Sequence, residues 1–146
     1  MERAIQNFID CKRIAVVGYS RTGRKFGNSA YNELQERGYE VFAVHPTEKE
    51  IAGTPCYPNL KALQGRIDGV FISLPGEKAV PVLHEAAALG LKNVWLQQGA
   101  ESSEALETAR QFGLNVVTRK CVLMYAPPVR SYHRWHRGIV KLVGRL

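Results

Sequence analysis

Arg13-Ile14-Ala15-Val16-Val17-Gly18, then Tyr19-Ser20-Arg21-Thr22-Gly23-Arg24-Lys25-Phe26-Gly27, then the stretch from Asn28 to Arg37, is the part of the chain that decides the fold. The first piece is a β-branched run stopped by glycine, the pattern of a strand buried on both faces. In the third piece Ala30, Tyr31 and Leu34 recur at helical spacing, and Gly38 is a natural helix stop. Strand, glycine-bearing loop and helix make the opening unit of an α/β sheet.

The same alternation continues outward. Tyr39–Val44 reads as a second strand, closed by His45-Pro46. Ile51 to Pro58, punctuated by Gly and Pro, reads as an irregular loop, and Asn59 caps a short helix reaching Leu63. Asp68–Ser73 is a third strand. Glu77–Leu89 is a helix with Val80, Leu83, Ala87 and Leu89 turned inward, ended by Gly90. Asn93–Leu96 is a fourth strand, Ser102 to Phe112 a further helix, and Asn115–Thr118 a fifth strand. Strands alternating with helices predict a doubly wound, Rossmann-like parallel sheet of about five strands with helices on both faces. Residues 1–128 form that domain. Residues 129–146 follow as a basic amphipathic C-terminal helix, with Tyr132, Trp135, Ile139, Leu142 and Val143 on its apolar stripe.

Composition limits the function classes. The chain of 146 residues is 45% hydrophobic and 23% charged, which excludes a disordered or fibrous class. No apolar run reaches the ~20 residues of a membrane helix. The N-terminus lacks the apolar core of a signal peptide, so the reading is cytoplasmic. Cys11, Cys56 and Cys121 form no CxxC pair, which points to reduced thiols and to neither zinc nor a disulfide framework. His45, His84, His133 and His136 show no metal-ligand spacing, and no catalytic triad or paired acid and base stands out. His84 reads as a surface histidine and Trp95 as core. The net charge of +7 is lopsided: residues 108–146 carry eight basic and no acidic side chains. Such a tail suits an anionic partner, nucleic acid included, or a solvated helix.

The first loop has the chemistry of a phosphate site. Ligands of such sheets sit beyond the carboxyl ends of the strands, at the reversal in strand order. Glycines let the backbone approach, a helix N-terminus offers unpaired N–H groups, and Arg21, Arg24 and Lys25 add positive charge. Gly18, Gly23 and Gly27 give G-x4-G-x3-G, unlike the G-x-G-x-x-G of NAD sites, and Val44-His45-Pro46 supplies no acidic residue for a ribose hydroxyl. In a P-loop Gly-Lys-Ser/Thr would be required; here Gly23 precedes Arg24, Lys25 and Phe26. Both departures argue against NAD and ATP.

Six segments in order carry a family resemblance: Val16-Val17-Gly18-Tyr19-Ser20, Gly38-Tyr39-Glu40-Val41, Val44-His45-Pro46, Gly53-Thr54-Pro55-Cys56-Tyr57, Trp95-Leu96-Gln97-Gln98-Gly99 and Arg119-Lys120-Cys121. Over roughly residues 10–125 the chain resembles the stand-alone CoA-binding domain family, which is similar to the N-terminal domain of the succinyl-CoA synthetase α subunit. The resemblance implies coenzyme A or an acyl-CoA as ligand. It implies that Gly18, Tyr19, Ser20 and Arg21 or Lys25 meet the phosphates. Val44 and Pro46 would flank the adenosine end, Ser73, Leu74 and Pro75 would border pantetheine or adenine, and Gln97, Gln98 and Gly99 would line the cleft. The family usually has Asn where this chain has His45. The synthetase's phosphorylated histidine belongs to a further domain, so binding without that chemistry is expected. Cys121, after the fifth strand, is a candidate for a mixed disulfide with the CoA thiol. Three functions stay open: a non-catalytic CoA carrier or sensor, an NAD(P)-linked or acyl-transfer enzyme, and a nucleic-acid or protein-interaction module using the basic tail.

Overall fold

The computed structural model describes residues 2–23 and 25–127. Seven strands, β1 (Arg13–Val17), β2 (Glu40–Val44), β3 (Glu50–Ile51), β4 (Thr54–Tyr57), β5 (Gly69–Ile72), β6 (Asn93–Gln97) and β7 (Asn115–Lys120), form one sheet in the order β3-β4-β2-β1-β5-β6-β7. All pairings are parallel except β3 with β4. Among the described residues α1 (Glu2–Ile9) precedes β1, and α2 (Phe26–Glu36), α3 (Gly76–Ala88) and α4 (Ser103–Gln111) join strands. The doubly wound α/β reading of the sequence holds.

Strand alternation sorts the apolar residues into two cores. Ile14, Val16, Ala43, Phe71, Trp95 and Val117 face α1, α2 and the 3-10 turn Val122–Met124. Ala15, Val17, Val44, Val70, Ile72 and Leu96 face α3 and the turn Lys61–Leu63. The continuous run in β1 is therefore apolar because both its faces are covered. Trp95 is fully buried, edge-on to Phe8 at 5.3 Å, and its Nε1 donates to the Lys120 carbonyl at 3.0 Å. That makes it a core residue with its one polar atom satisfied. Arg37 Nη1 donates to the Leu123 and Ala126 carbonyls at 2.9 and 2.6 Å, tying the end of the described chain to α2.

Three local differences from the sequence reading have physical causes. The irregular loop expected over 51–58 is a hairpin: β3 and β4 pair across Ala52-Gly53, with φ of 49° and 85°. Positive φ at both positions is the two-residue hairpin geometry usually signalled by Asn-Gly or Asp-Gly, and alanine concealed it. Residues 2–9, read only as lacking a signal peptide, form α1, which lays Phe8 on Trp95. In α3 the buried positions are Ala79, Val80, Leu83 and Ala86, whereas Ala87 and Leu89 are half-buried. The expected C-terminal helix, with His133 and His136, lies outside the described residues, as does Arg24.

Candidate functional site

Register brings three strand ends level. Val17 pairs with Val44 on one side and with Ile72 on the other, and from β1 the chain first builds toward β4, then returns to build toward β7. The loops leaving Val17, Val44 and Ile72 thus spring from one edge at the reversal in strand order, where such sheets bind ligands. They enclose a cleft of about 590 Å³, within the range of small-molecule sites.

The first wall is the loop after β1. Gly18 has φ of +120°, and a Cβ there would stand 2.3 Å from the Ser73 carbonyl oxygen. At Gly27 a Cβ would stand 2.5 Å from the Gly18 carbonyl. The two missing side chains let the loop, β5's end and α2's first turn close on one another. Asn28 then pins the loop. Only 5% exposed, it accepts from the Ser20 N–H at 2.9 Å and donates to the Ser20 carbonyl at 3.0 Å. Ser20 Oγ accepts from the Thr22 N–H at 3.2 Å. Sequence reading passed over Asn28, because an asparagine near a helix start looks like a solvated polar residue.

α2 begins at Lys25 in extended geometry with no side-chain cap, and α3 begins at Pro75, also without one. α4, which does not border the cleft, is capped by Ser102 Oγ accepting from the Ala105 N–H at 3.0 Å. Two helix starts without side-chain caps, each the positive end of a helix dipole, thus sit at the cleft. Arg21, Lys25 and Lys78 supply full positive charges to its lining. Among the described lining residues Glu85 is the one carboxylate, and its Oε2 accepts from the Lys61 N–H at 3.2 Å. The remaining lining is largely apolar, with Val44, Pro46, Leu60, Leu74 and Val82.

The structure gathers Gly18, Tyr19, Ser20, Arg21, Lys25, Val44, Pro46, Ser73, Leu74 and Pro75 in one lining. The Tyr19 ring is buried against Tyr31 at 5.1 Å and its hydroxyl donates to Thr54 Oγ1 at 3.3 Å, which leaves its backbone to the cleft. Gln97, Gln98 and Gly99 are not in the lining. Gln97 shares the Trp95 face of β6, opposite the α3 face that the cleft uses, and its Oε1 accepts from the Val122 N–H at 3.2 Å. Gly99 N–H donates to Glu101. Cys121 adjoins that same turn and is likewise absent from the lining, so the geometry gives no support to a disulfide with a ligand there. Lys78, Asn59, Leu60, Val82 and Glu85 also line the cleft; they are far from the loop in sequence and carry no motif.

Three comparisons bear on this cleft. A family model described as CoA binding domain matches residues 12–127. The chain belongs to the CoA-binding domain family. This CoA-binding domain is 32% identical over 111 residues to the uncharacterised protein YneT of Bacillus subtilis, covering 76% of this chain and 82% of that one. It is 28% identical to the α subunit of the ADP-forming acetate–CoA ligase II of Pyrococcus furiosus, across 79% of this chain but 28% of the subunit. A solved conserved hypothetical protein from Pyrococcus furiosus superposes with a TM-score of 0.73 at 32% identity, covering 77% and 97% of the two chains. The domain thus spans most of two relatives and about a quarter of the ligase subunit. No described helix is long and apolar enough to cross a membrane.

Proposed function

We propose that this CoA-binding domain holds coenzyme A or an acyl-CoA in the cleft as a carrier or sensor, without catalysing a reaction itself. The observation that carries the proposal is the loop after β1. It brings Gly18, Ser20, an uncapped helix start and the cations Arg21 and Lys25 into one cleft lining at the strand ends. A pyrophosphate needs those donors and charges, and the apolar lining from Val44 to Val82 suits the adenine and the pantetheine chain. Among the described lining residues the one carboxylate, Glu85, accepts from a backbone N–H and His45 Nδ1 accepts from two, a poor start for acid–base chemistry that favours binding over catalysis. Native mass spectrometry of freshly purified protein tests this. A retained mass equal to CoA or an acyl-CoA is expected; a retained nicotinamide or adenosine nucleotide in its place would overturn the proposal.

A further inference from the structure

We infer that Glu48 is a built-in counter-charge that sets the affinity of the cleft by holding Arg21 away from the ligand; this rests on the CoA reading above. Arg21 lines the cleft, yet its Nη1 lies 3.6 Å from Glu48 Oε2. The guanidinium is 71% exposed and the carboxylate 35%. Glu48 is the better held partner. Its N–H donates to His45 Nδ1 at 3.0 Å, and the Thr47 N–H donates to the same nitrogen at 3.1 Å. His45 directly follows β2 and lines the cleft beside Val44, so the turn that fixes Glu48 is anchored in the cleft wall. His45 thereby does for this turn what a short polar side chain such as asparagine does elsewhere, accepting from the backbone two and three residues on.

The consequence is competition. A ligand phosphate and the Glu48 carboxylate present the same charge to one guanidinium. Before Arg21 can serve the ligand its pair with Glu48 must open. An exposed pair opens at small cost, so Glu48 acts as a brake on affinity and not as a lock. A ligand held this way exchanges readily, as a carrier or sensor requires.

Glu48 is a positioning residue acting through Arg21, and a double-mutant cycle reads that directly. CoA is titrated calorimetrically into the parent, Glu48→Gln, Arg21→Gln and the double variant, each first checked for an unchanged melting temperature. Glu48→Gln should tighten CoA binding by about two- to fivefold. The gain should vanish in the Arg21→Gln background and shrink toward ~1 M salt. Unchanged or weaker binding by Glu48→Gln, or an equal gain with and without Arg21, would overturn the inference. A parent that binds no CoA would instead overturn the functional reading beneath it.

Discussion

Gly18 is the residue on which strand, loop and cleft converge. Any side chain there must enter the 2.3 Å gap to the Ser73 carbonyl while the backbone holds φ at +120°. Gly18→Val should therefore lower the melting temperature sharply, with strain of at least about 1–3 kcal/mol, and abolish CoA binding in whatever folds; thermal denaturation and calorimetry together check both. Asn28 acts on the same loop from below. Asn28→Ala leaves the Ser20 N–H and carbonyl without their partner, a cost of about 1–3 kcal/mol. Reduced stability together with weakened CoA binding is expected, because the loop loses its pin. The cations differ in kind. Lys25→Ala should weaken CoA binding about tenfold at an unchanged melting temperature, and Arg21→Ala less, since Arg21 shares its charge with Glu48. Equal binding by all these variants would mean that the loop only turns the chain. Gly18 and the cations were legible in the sequence, because glycine and charge clustered in one short loop carry their meaning locally. Asn28 and Glu48 were not, because their partners are fixed only when α2 and the β2–β3 turn fold back on the loop.

Elements are held in register from the end opposite the cleft. Arg13, opening β1, meets Asp68, just before β5: Nη2 lies 2.8 Å from Oδ1, and the Lys12 and Arg13 N–H groups donate to Oδ2. The guanidinium, above all through its hydrogen bond, holds the Asp68 carboxyl below its ordinary 3.8. A carboxyl depressed by folding adds stability that is present above its unfolded value and is lost as pH falls through its folded value. Asp68→Asn should accordingly melt below the parent at neutral pH, and the gap should narrow as pH falls below the ordinary 3.8. A gap that persists or widens in acid would refute the charge-based clamp. At this scale α2, α3 and α4 and the strands β1, β2, β5, β6 and β7 were legible from periodicity and glycine stops. The β3–β4 hairpin was hidden by Ala52 in a turn that usually advertises itself with asparagine. The eight residues of α1 are too few for a strong periodic signal, although Ala4, Ile5, Phe8 and Ile9 fall at helical spacing.

Across the whole molecule, the order β3-β4-β2-β1-β5-β6-β7 places every cleft loop at one edge and leaves the Arg13–Asp68 clamp at the other. The doubly wound topology was legible because strands and helices alternate along the chain. The far wall of the cleft was not, since Asn59, Leu60, Lys78, Val82 and Glu85 meet the loop only through the return of the chain to β5. That Gln97–Gly99 fall outside the cleft lining has a related origin: motif order marks a strand end but not which face its side chains take. The proposed ligand, CoA, carries a 3′-phosphate that NAD lacks. Calorimetric titration of the full chain with CoA, dephospho-CoA, NAD and ATP under identical salt measures the resulting preference directly. CoA should bind most tightly of the four; tighter binding of NAD, or no binding of CoA, would contradict it.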